Sequence, residues 1–72
     1  MNFKLEFNED QQSFHHNYGH NPDVAGWEVI AYDCTDDQWH HFQNYLNENN
    51  VNPPYKIKDL QEWWAEFIVL VY

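Results

Sequence analysis

Residues 27–49 read WEVIAYDCTDDQWHHFQNYLNEN, and their reading decides the fold class. The first eight, Trp27 to Cys34, are rich in Val, Ile, Trp and Tyr, residues that fit a pleated surface. They predict a strand. Apolar residues on both of its faces predict a central place in a sheet. Thr35 follows, with Gln38 three positions on, the spacing of a capping box. Asp36 and Asp37 then fall in a first turn, where the helix dipole favours negative charge. Trp39, Phe42 and Leu46 recur at i, i+3 and i+7 as an apolar stripe flanked by Tyr45. Asp37, His41, Asn44 and Glu48 take the opposite face. Asn49 and Asn50 offer the left-handed residue that ends a helix. A helix over residues 36–49 is expected.

On the N-terminal side, residues 2–7, NFKLEF, alternate cleanly. Phe3, Leu5 and Phe7 share one face, the period of a half-buried strand. Residues 8–26 are polar and punctuated by Gly19, Pro22 and Gly26. They read as a long connection, with one helical turn near Glu9–His15 opened by the cap pair Asn8 and Gln11. On the C-terminal side, Pro53 and Pro54 stop the main helix. Ile57, Leu60, Trp64 and Phe67 then have helical spacing, whereas Phe67–Tyr72, FIVLVY, has strand composition. The favoured reading is a short helix near 57–64 and a strand near 66–72. The alternatives are one longer helix, or a longer strand from Trp63. FIVLVY on an open edge would invite aggregation, so it is expected at the sheet centre or under a partner subunit. The sum is one α+β domain over residues 1–72: a small sheet of about three strands, with one main helix and a short second helix packed on one face.

Composition bounds the function. Three Lys, no Arg and twelve Asp plus Glu give a net charge of −9 on 72 residues. Such a chain cannot build the basic face that grips nucleic acid, nor the polybasic segment that holds a protein on an anionic membrane. Forty-three per cent hydrophobic and 19% aromatic residues argue against disorder. The single cysteine, Cys34, excludes an internal disulfide and fits a reducing compartment, so a cytoplasmic location is expected. The N-terminus shows no apolar signal-peptide core, and the longest apolar run, Phe67 to Tyr72, is far short of a membrane span. Nine Asn and five Gln are scattered, with no low-complexity tract.

Catalytic and metal chemistry find little support. His15, His16 and His20 lie in the polar connection, and His40 and His41 on the main helix. Together with Cys34 they could converge on Zn²⁺, but no CxxC or HExxH spacing favours it. The plainer reading has exposed histidines and Cys34 as a small buried hydrophobe. Only Gly19 and Gly26 are present, too few for a phosphate loop, and 72 residues leave little room for a deep pocket. No enzymatic activity and no cofactor are expected.

The carboxylates are more informative. Residues 1–26 net −3 and residues 53–72 net −1, but residues 27–52 carry Glu28, Asp33, Asp36, Asp37 and Glu48 with no Lys, a net −5. Held on a strand and a helix, these five could occupy the Lys and Arg side chains that normally hold phosphates, with charge steering to speed association. Trp63 and Trp64 are adjacent and point in different directions, so one is expected buried and the other, taken as Trp63, exposed as an anchor. Phe14 and Tyr18 are further contact candidates.

Short length, −9 charge, absence of Arg and an aromatic, amide-rich single domain together resemble the small acidic phage-encoded inhibitors of host defence, of the anti-CRISPR and anti-restriction type. That resemblance implies a non-enzymatic inhibitor acting in the host cell cytoplasm. It would bind a nuclease or effector complex at its basic nucleic-acid-recognition surface. A generic interaction or assembly module, homodimeric through FIVLVY, and a small His/Cys metal-binding module are the alternatives.

Overall fold

The computed structural model describes residues 2–19 and 25–71. Its elements are β1 (Phe3–Asn8), β2 (Ser13–Asn17), β3 (Trp27–Cys34), α1 (Asp36–Glu48) and α2 (Ile57–Val71). The class is α+β, a three-stranded antiparallel sheet with two helices.

The sheet order is β2-β1-β3, which places β1 at the centre and β3 at an edge, so WEVIAYDC does not take the central place expected for it. Phe3, Leu5 and Phe7 are fully buried on one face of β1, and Glu6 and Asn8 are buried on the other. Burying those three side chains stabilises the fold by about 1.5–3 kcal/mol each. The apolar look of both β3 faces has a different cause from centrality. Its ladder to β1 slips register between Phe3 and Leu5 and again between Leu5 and Glu6. Such bulges re-aim side chains, so the consecutive residues Ile30 and Ala31 are both buried. α2 packs on β3 and on α1, and the Gln61 side-chain amide donates to the Val29 carbonyl at 2.9 Å. A helix thus lies against the sheet at its edge strand, one of the ways proteins blunt an edge.

The segment read as a polar connection holds a strand. Lys4 to Asn8 pair with Asn17 to Ser13, closing a hairpin around Glu9–Gln12. Gln11 N–H donates to Asn8 Oδ1 at 3.0 Å, so the cap-like pair exists but serves a turn, not a helix. Gln12 takes a left-handed φ of 52°. Its side-chain amide works like a strand edge: Oε1 accepts from the Tyr55 N–H at 2.6 Å and Nε2 donates to the Tyr55 carbonyl at 2.8 Å. Glu9 Oε2 accepts from Ile57 N–H at 3.2 Å, placing a carboxylate at the start of α2 where the dipole favours it. The hairpin turn therefore anchors the second helix. Gly26 precedes β3 at φ +96°, and a Cβ there would stand 3.2 Å from Asn8 Nδ2, so this position requires glycine.

α1 follows its sequence closely. Thr35 Oγ1 accepts from Gln38 N–H at 3.1 Å, and Gln38 Oε1 accepts from Thr35 N–H at 3.0 Å. This reciprocal cap contributes about 1 kcal/mol. At the other end Asn50 is left-handed, Asn50 N–H reaches the Asn47 carbonyl and Val51 N–H reaches the Leu46 carbonyl. That is the Schellman pattern, with Val51 packed on the core beside it.

The largest correction concerns the C-terminal segment. Ile57–Val71 is one continuous helix, so residues 66–71 are not a strand; Tyr72 lies outside the described residues. Leu60 and Phe67 are fully buried, with Ile57, Trp64 and Ile68 packed beside them. Ile68, Val69 and Val71 each cost a few tenths of a kcal/mol in a helix relative to alanine. Burying Phe67 alone returns about 1.5–3 kcal/mol, so the periodicity of the buried stripe outweighs local propensity.

Candidate protein-binding face

Asp33, the penultimate residue of β3, and Asp36 and Asp37, in the first turn of α1, meet at the corner between the two elements, and all three are exposed. The Thr35 cap fixes the direction of the corner. Asp33 is further held by Asn2, whose side-chain amide donates to Oδ1 at 2.6 Å. Lys4 lines the same shallow groove as Asp33, with Asn17, Tyr18 and Tyr32 around it. Tyr32 is 81% exposed beside this corner.

The other two carboxylates do not join the cluster. Glu28 sits five residues from Asp33 along β3, about 16 Å at strand rise. Glu48 ends α1, about 18 Å from Asp36 at helical rise. Both are exposed. The outward α1 face between the poles carries His40, His41, Gln43, Asn44 and Asn47, so its acidity lies at the two ends. Trp63 is half-buried, its ring 6.0 Å from Tyr45 in an edge contact. Trp64 also packs inward, 5.1 Å from Phe42. Phe14, expected as a contact residue, is half-buried and packs against the core, with ring centroids 4.7 Å from Phe7 and 4.9 Å from Trp39. Tyr18 is 39% exposed.

The corner's field reaches inward. Cys34 is fully buried, and its thiol is pushed up to about 11, first by burial and then by Asp36 and Asp33. A thiol so far above neutrality is a poor nucleophile; its Sγ donates to the Thr35 carbonyl at 3.4 Å. No three His, Cys, Asp or Glu side chains among the described residues are placed to share a metal ion, and His20 lies outside those residues. No helix among the described residues is long and apolar enough to cross a membrane.

Comparison with protein-family models, curated proteins and solved structures finds no match to this chain.

His16 packs among the aromatic rings beside the core. It stacks on Phe3 at 4.1 Å and meets the edge of Trp39 at 5.3 Å. Burial holds its pKa below the ordinary 6.5, opposed by the Asp36 carboxylate and reinforced by His15. As pH falls through 6.5 the unfolded chain binds a proton that the folded chain resists, so stability is lost on the acid side. His16→Phe is expected to flatten this loss. Urea denaturation at pH 7.5 and pH 5 should show a smaller drop for the variant than for the native protein, and equal drops would refute the assignment.

Proposed function

We propose that the protein is a non-enzymatic binding protein of the inhibitor type, whose acidic corner docks on the basic nucleic-acid-recognition surface of a nuclease or effector complex. The observation that carries the reading is the assembly of exposed Asp33, Asp36 and Asp37 on one preorganised corner. No Lys or Arg occurs between Glu28 and Tyr55. Carboxylates fixed by a capped helix and an antiparallel strand need little ordering on binding, which cuts the entropic cost of association. They would pair with Lys and Arg that otherwise hold phosphates, and exposed Tyr32 would add aromatic contact area beside them. Occupation of that surface excludes the nucleic acid, and this is inhibition without chemistry.

The test is competitive. A panel of nuclease effector complexes is assayed for cleavage of its DNA or RNA with and without the protein, at increasing salt. Inhibition should fall steeply with ionic strength and be relieved by excess nucleic acid. Reversing Asp36 and Asp37 to Lys should weaken it on the order of 100-fold, since close charge pairs at interfaces couple by about 1.5 kcal/mol or more each. Inhibition insensitive to salt and to both reversals would refute charge mimicry.

A further inference from the structure

The two edges of the sheet differ in how they are guarded. β3 carries two register slips, and α2 packs against it with Gln61 Nε2 on the Val29 carbonyl. β2 has no such protection. It pairs with β1 in unbroken register from Ser13 to Asn17, and it contains no Lys and no Pro. α1 meets it from the core face, through the Trp39 ring on Phe14 and His16. Every second residue of such a strand turns its backbone N–H and C=O away from its partner. Among the described residues no strand pairs with that side of β2. The strand also interrupts an acidic surface. Residues 11–22 contain no Asp, Glu, Lys or Arg. Exposed Glu9 and Asp10 stand at one end, in the hairpin turn. At the other end, burial lowers the His16 pKa and the Asp36 carboxylate opposes it, so that acid stands near the strand. Asp33 shares a groove there with Asn17 and Tyr18, and Lys4 in the same groove offsets one charge.

We propose that β2 receives an extended, basic segment of the target as a further strand, with Lys or Arg side chains at the Glu9–Asp10 end and at the Asp36 end. The basic character of the segment rests on the function proposed above. Strand addition takes affinity from main-chain hydrogen bonds and specificity from side chains. Here the selection comes from the two acidic ends, with Ser13 and Asn17 between them about 13 Å apart at strand rise. Charge also decides against a second copy of the chain. Antiparallel pairing of two β2 strands would set the Glu9–Asp10 turn of each against the Asp36 end of the other. Carboxylates would then face carboxylates at both ends of the seam, between molecules that each carry −9. A cationic segment meets attraction at both ends instead.

The probe is the peptide Lys-Lys-Val-Thr-Val-Thr-Val-Lys-Lys, with a version N-methylated at its Val and Thr amides as control. N-methylation removes the donors a strand needs and keeps the charge. The first peptide should bind, and backbone amides within residues 13–17 should then exchange with solvent at least about tenfold more slowly, read by hydrogen-exchange NMR. The N-methylated peptide should bind at least about tenfold more weakly. Asp36→Lys, at an exposed position, should weaken the first peptide by about tenfold or more and leave the circular dichroism unchanged. Equal binding of the two peptides overturns strand addition and leaves docking by charge alone. Failure of the first peptide to bind overturns it too, and salt-sensitive inhibition of a nuclease complex would still stand by itself. Binding unchanged by Asp36→Lys overturns the selection by charge. Protection of residues 13–17 that rises with protein concentration, without peptide, assigns the edge to a second copy and refutes the proposal. Conversely, peptide binding that is lost on N-methylation, in a chain that inhibits no nuclease of the panel, sinks the inhibitor reading and keeps the basic strand as the ligand.

Discussion

Ala65→Pro is expected to destabilise the protein by about 3 kcal/mol or more. Ala65 lies in the middle of α2 and is exposed, so the new ring meets no core side chain. It removes the N–H that bonds the carbonyl four residues back, at Gln61, and it clashes with that carbonyl. A domain of this size has a total stability of roughly 4–11 kcal/mol at 0.05–0.15 kcal/mol per residue, so the loss is a large share. The urea midpoint should drop by up to about 3 M, with m near 1 kcal/mol/M for a small protein. Ala65→Gly is the control, at about 1 kcal/mol. A strand beginning at Glu66 would accept proline just before it at almost no cost. The experiment therefore separates the continuous helix from the helix-then-strand arrangement, and a harmless proline would overturn the helix.

Phe42→Ala is expected to cost about 3–5 kcal/mol. Phe42 is fully buried, with its ring 5.1 Å from Trp64 and 5.4 Å from Phe67. It joins α1 to α2, and the cavity left by its removal would be lined by large rings that cannot collapse into it. Gln43→Ala, one residue along and exposed, should stay within about 0.5 kcal/mol. Denaturant titration of the pair at neutral pH is the measurement. A cost near 1 kcal/mol for Phe42→Ala would mean that the two helices do not share a core.

The contrast between α1 and α2 shows what was legible and why. In α1 every local signal agrees: a cap pair, acids in the first turn, an apolar stripe and an amide in the left-handed position. In α2 two signals conflict. Leu60, Trp64 and Phe67 have the helical period, while Ile68, Val69 and Val71 prefer strands. Propensity differences are a few tenths of a kcal/mol per residue and burial differences are several times larger, so the period wins. The strand Ser13–Asn17, SFHHN, had no signal to read, because it lacks alternation and β-branched residues. It forms because β1 presents a second edge and the Glu9–Gln12 turn returns the chain along it.

The site divides the same way. The gathering of Asp33, Asp36 and Asp37 was readable, because five residues of chain confine it to one strand–helix junction. The separation of Glu28 and Glu48 followed only from element lengths, and the inward packing of Trp63 and Phe14 only from the aromatic core. The anchoring of Tyr55 and Ile57 by Gln12 and Glu9 spans more than forty residues and leaves no local trace.

By itself, then, the sequence determined the strands β1 and β3, the helix α1 with both of its caps, and the acidity of the junction between β3 and α1. Those features depend on groups a few residues apart, whose energies are set before the chain folds. Only the tertiary structure decided that NFKLEF is the central strand, that residues 13–17 pair with it, and that the C-terminal segment is helical with an exposed aliphatic end. Each of those outcomes depends on which distant surface covers which side chain, and burial of that kind exceeds local preference by the few kcal/mol that settle the choice.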